Sequence, residues 1–65
     1  MTQNADFSPE DKLACAKREL ALRIKHYPRW VQIKKMSQQQ ADKEIAMMRA
    51  IYEDYLKLAK TELLL

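Results

Sequence analysis

No glycine occurs anywhere in this chain of 65 residues. Glycine enters left-handed backbone regions without a steric cost, so its absence removes the easiest route to tight β-hairpins and to loops that cradle phosphate. Alanine, leucine, lysine, glutamate, glutamine and arginine dominate in its place, and all are strong helix formers. An all-α protein is predicted.

Length then limits how such helices become stable. A domain this short hides only about 60% of the surface its unfolded chain exposes. A single core of this size rarely contributes more than roughly 3–5 kcal/mol of net stability. Cys15 is the only cysteine and His26 the only histidine. An internal disulfide is therefore excluded, and the pair cannot supply a structural zinc site. Regular helix packing and oligomerisation remain. No apolar run approaches the roughly 20 residues that span a bilayer. Met1–Ser8 lacks the basic start and apolar core of a signal peptide. With a lone thiol that suits a reducing compartment, the chain reads as cytoplasmic, with no membrane contact.

The clearest local signal is Ser8-Pro9-Glu10-Asp11. Ser8 suits a helix cap, Pro9 the first helical position, and the two acids the positive end of the helix dipole. Asp11 is also placed to complete a capping box. From there Leu13, Ala16, Leu20, Ile24, Tyr27 and Val31 recur at helical spacing within one stripe. Pro28 interrupts the pattern, because it removes a backbone donor and disfavours helix in Tyr27. A first helix over about 9–35, kinked or broken near Pro28, is predicted, with a turn at Met36-Ser37. Ser37 and Gln40 match a second capping box. A second helix over about 38–62 then carries a heptad seam of Ala41, Ile45, Met48, Tyr52, Tyr55 and Ala59, flanked by Ile51, Leu56 and Leu58. Leu63, Leu64 and Leu65 extend or fray that seam.

Helices joined by so short a connection lie antiparallel. The organisation expected is a flexible tail over residues 1–7 and one helical hairpin over 8–65. The seam of its core and of a dimer is Leu13, Leu20, Ile24, Val31, Ile45, Met48, Ile51, Tyr52, Tyr55 and Leu58. The second helix is apolar over a wider arc than one neighbour covers, with Met47 beside Ile51 and Leu58. Uncovered apolar surface calls for another body, and a homodimer forming a four-helix bundle is the economical solution.

Two further surfaces stand out. Lys17, Arg18, Arg23, Lys25, Lys34 and Lys35, with Arg29 and His26 among them, face only Glu19 in their segment. Such clustering suits an acidic protein or nucleic acid, but charge opposite an apolar stripe is also where a solvated helix face belongs. Leu22, His26 and Ile33 follow a second line with Cys15, and Trp30 lies at its edge beside Tyr27 and Arg29. Tryptophan, arginine and exposed aliphatic side chains together have the composition of a partner-binding hot spot; completing a dimer core would bury the same residues. Tyr27 and Trp30 among cations could also stack on single-stranded nucleic acid. Catalysis has little support. Cys15 and His26 are roughly 16 Å apart along a helix, the carboxylates are scattered, and no metal-ligand spacing occurs. No enzyme, cofactor, metal or small-molecule substrate is expected.

Arg18-Glu19-Leu20, the block Tyr27-Pro28-Arg29-Trp30-Val31, Met36-Ser37, Ala41-Asp42-Lys43-Glu44-Ile45 and Met48 together resemble a group of short phage and prophage proteins. That group carries a glycine in its basic linker, where this chain has Lys34 and Lys35. The resemblance implies a phage-encoded accessory protein acting inside a bacterial host cell, one that binds and inhibits or otherwise modulates a host or phage protein. It implies no activity for particular residues.

Overall fold

The computed structural model describes residues 7–64, with side chains described through Thr61. Met1–Asp6 of the expected tail lie outside the described residues, as do Leu65 and the side chains of Leu63 and Leu64. Two helices, α1 (Pro9–Gln32) and α2 (Gln38–Leu64), pack on each other as a hairpin, and no strand occurs among the described residues. The molecule is one helix-layer thick, 46 × 27 × 15 Å.

The start of α1 forms as its residues dictate. The Ser8 hydroxyl accepts from the Asp11 backbone N–H at 3.1 Å, and the Asp11 carboxylate accepts from the Ser8 N–H at 3.4 Å. Two donors with no partner inside the helix are thereby satisfied. At α2 only half of the expected box is made: Ser37 Oγ accepts from Gln40 N–H at 3.0 Å. The side-chain amide of Gln38 donates instead to Asp42 at 2.9 Å.

A single helix runs through Pro28, so the break considered from the sequence does not occur. Pro28 has no N–H to offer the Ile24 carbonyl, yet both residues are exposed, and water can take the place of that bond. The turn falls earlier than Met36-Ser37. α1 ends at Gln32, and the chain reverses over Ile33–Met36. Lys34 adopts φ 64°, the left-handed conformation that glycine enters freely. That reversal lets Lys35 N–H reach the Trp30 carbonyl at 2.8 Å and Lys34 N–H reach Val31 at 3.0 Å. Two final carbonyls of α1 are closed off in this way. A lysine in this conformation costs on the order of 1 kcal/mol.

The contact line between the helices is made of small side chains. Ala16, Ala41 and Ala59 are buried, and among the described residues Met48 is the one large side chain in the same class. Alanine at a crossing permits the short end of the interaxial range, about 8 Å. Leu13, Leu20, Val31, Ile45, Tyr52 and Leu56 flank this line on one side and are half-buried. Ile24, expected in the same stripe, is instead 46% exposed. It stands about 80° round the helix from Ala16, beyond what one neighbouring helix covers.

Candidate functional site: an apolar face with an aromatic end

Among the described residues eight large apolar side chains are exposed, and seven of them lie on the same broad side of the hairpin: Phe7, Leu22, Trp30, Ile33, Met47, Ile51 and Leu58. Helical spacing places Leu22, Trp30 and Ile33 on one flank of α1, and Met47, Ile51 and Leu58 on one flank of α2. An open groove of about 820 Å³ joins the two flanks, with Phe7, Lys12 and Cys15 on one wall and Ile51 and Tyr55 on the other. We call this side the groove face. Lys12 Nζ stands 6.0 Å from the centre of the Tyr55 ring, bridging the wall of α1 to that of α2.

Polar side chains stand close to the contact line on this face, beside Tyr55 and Trp30. Arg23 Nε donates to Glu19 at 2.9 Å, and its Nη1 donates to the Glu44 backbone carbonyl at 3.0 Å and to the Glu44 carboxylate at 3.4 Å. The hydrogen bond to Glu19 holds the Arg23 pKa above its ordinary value, against the opposing effect of burial. Sequence reasoning placed Arg23 on the basic surface, and the structure corrects that placement. The guanidinium is 22% exposed and ties α1 to α2, because a long side chain one turn from Glu19 also reaches across a close helix pair.

At the turn end, the Trp30 ring stacks with Tyr27 at 5.3 Å and with His26 at 6.3 Å. Trp30 remains 40% exposed. His26 and Arg29 are exposed, Tyr27 is half-buried, and Ile33 caps the helix just beyond. Leu22 sits one turn back from His26 on the same flank, so the six residues singled out from the sequence share one end of α1. The remaining cations do not converge. Arg18 and Lys25 point away from the contact line, Lys17 lies on the opposite flank, and Lys34 and Lys35 occupy the turn, all exposed. Phe7, assigned to the tail, was missed as a lining residue. Its signal was an apolar residue just before a helix cap, where such side chains fold back onto the first turns.

Among the described residues no three His, Cys, Asp or Glu side chains gather as a metal site would need, and neither helix is long and apolar enough to cross a membrane. No protein-family model, curated protein or solved structure matches this chain.

Proposed function

We propose that this chain is a non-enzymatic binding protein that docks on another protein and modulates it by occupying its surface. The observation that carries the proposal is the gathering of seven exposed large apolar side chains on the groove face, ending in the stack of Trp30 on Tyr27 and His26 with Arg29 alongside. Monomeric proteins rarely leave a contiguous apolar face of this kind uncovered. A half-exposed tryptophan next to arginine has the chemistry of an interface anchor. The resemblance to short phage proteins supports a target of host or phage origin in the bacterial cytoplasm, with inhibition as the simplest consequence of occupying it.

The test is capture from host lysate by the native chain and by a Trp30→Ala, Arg29→Ala double variant of equal helicity. Capture of a discrete protein by the native chain, lost at least tenfold in the variant, is expected. Equal capture by both would remove this end of α1 from the binding surface.

A second reading is favoured by one observation. Around the turn five basic side chains, Lys25, Arg29, Lys34, Lys35 and Lys43, are exposed. A basic end bearing an aromatic stack suits single-stranded nucleic acid. Affinity for an oligonucleotide would then fall steeply between low and moderate salt as counterions are released. Absence of any binding to DNA or RNA at low salt would end this reading.

A further inference from the structure

We infer that the groove face is covered by a second copy of this chain, with the two inter-helix turns at opposite poles of an all-antiparallel four-helix bundle. The inference rests on the reading of that face as an interface, and it names the first occupant and its orientation.

Area comes first. The broad side of the hairpin measures 46 × 27 Å, more than the roughly 800 Å² per partner that a stable interface needs. Among the described residues no large side chain of the lone hairpin is fully buried, so covering this face would give the molecule the core it otherwise lacks. A twofold dimer also requires a face that complements itself. The apolar residues run its whole length, from Phe7 and Leu58 at the open end, through Ile51 and Met47, to Trp30 and Ile33 at the turn end. A half-turn therefore sets apolar surface on apolar surface.

Charge then selects between the two possible twofold axes. Residues 21–46, the half nearest the turn, carry a net charge of +4, with six basic and two acidic residues. The rest of the chain holds six basic and seven acidic residues, net −1. An axis parallel to the helices would place both turns at one pole, with +4 beside +4. An axis crossing the helices sets each +4 half against the other copy's −1 half. Along the rims of the face, α1 lies over the other copy's α1 and α2 over its α2, which brings Asp11 of one copy toward Arg29 of the other and Asp54 toward Lys43. Like charges repel and opposite charges attract most effectively where apolar contact has displaced water. The crossing axis passes at mid-height of the hairpin. Met47, one turn from the Glu44 that meets Arg23, lies there and packs against its own counterpart.

The experiment combines solution mass with one distance. The full chain is expected to have the mass of two copies at micromolar concentration. Met47→Lys, which places two ammonium groups at the axis, should weaken self-association tenfold or more while the helical signal persists at high protein concentration. In a Cys15→Ser, Lys34→Cys chain bearing nitroxide labels, the separation between labels should lie near the hairpin's 46 Å length. A separation within roughly 20 Å, two helix diameters, would overturn the orientation. A single-copy mass at every concentration, open-ended larger assemblies, or a Met47→Lys chain that still dimerises would overturn the occupant. A single-copy native chain whose target capture still depends on Trp30 would leave the face a binding surface and remove only the second copy from it.

Discussion

The two broad sides of this hairpin are made by the same helices, yet they distribute grease and charge in opposite orders. On the side away from the groove, Leu13, Leu20, Val31, Ile45, Tyr52 and Leu56 stand next to the alanine contact line and are half-covered by the neighbouring helix. Ile24 alone protrudes there. On the groove face Lys12, Glu19, Arg23 and Glu44 stand near the contact line together with Tyr55 and Trp30, and the other apolar residues of the helices stand further round, about 80–120° from it. One neighbouring helix cannot reach that far. An isolated hairpin is best served by apolar side chains near the seam and charge outside it. The groove face reverses that order, which is why it reads as a surface made for another body.

The sharpest way to break the comparison is to cut two adjacent methionines. Met48 is 7% exposed in the seam and Met47 is 46% exposed on the groove face. Met48→Ala should cost about 2 kcal/mol or more in chemical denaturation, at the lower end of the range for large core truncations. Met47→Ala should change the stability of dilute protein by under about 0.5 kcal/mol and act only through the part of the melting that depends on concentration. Equal costs would mean that the two sides do not differ as their exposure indicates.

A smaller effect is expected at Arg23. Arg23→Met keeps most of the aliphatic stem but loses the hydrogen bonds to Glu19 and Glu44, at a cost of about 1 kcal/mol by urea unfolding. Adding salt should narrow the gap between the variant and the native chain. The smallest change serves as a control, because it touches neither side. Lys34→Gly relieves a left-handed lysine and gives back part of the gain as extra freedom in the unfolded chain. A net stabilisation of about 0.5 kcal/mol is expected, seen as a rise of about 3 °C in Tm. A loss of stability would mean that Lys34 makes a compensating contact.

Much of the architecture is legible in the residues, and the exceptions share a cause. Ser8, Pro9 and Asp11 announce the first cap because that interaction is local in sequence. The seam through Ala16, Ala41, Met48 and Ala59 follows from periodicity alone. The turn was placed too late because, without a glycine to mark the reversal, nothing distinguishes Lys34 from its neighbours. Ile24 shows that a stripe read from spacing is wider than the strip a single partner helix can shield. Arg23 and Phe7 were misassigned because both depend on what lies opposite, which no window of sequence contains. For the aromatic end, the clustering of Leu22, His26, Tyr27, Trp30 and Ile33 was readable. The stacking order, with Trp30 against both rings, required the structure.

Pro28 sits five-sixths of the way along an unbroken helix, so the Tyr27–Pro28 bond must be trans before α1 can close. In unfolded chains about 10–30% of such bonds are cis, and they interconvert over tens of seconds. A minority of newly released molecules is therefore held back by a clock set at one imide, while the rest zip up without delay. During that wait the segment from Arg29 to the turn cannot join its own helix. In that minority the tryptophan end is the last part of the molecule to mature, and a prolyl isomerase would hasten its completion.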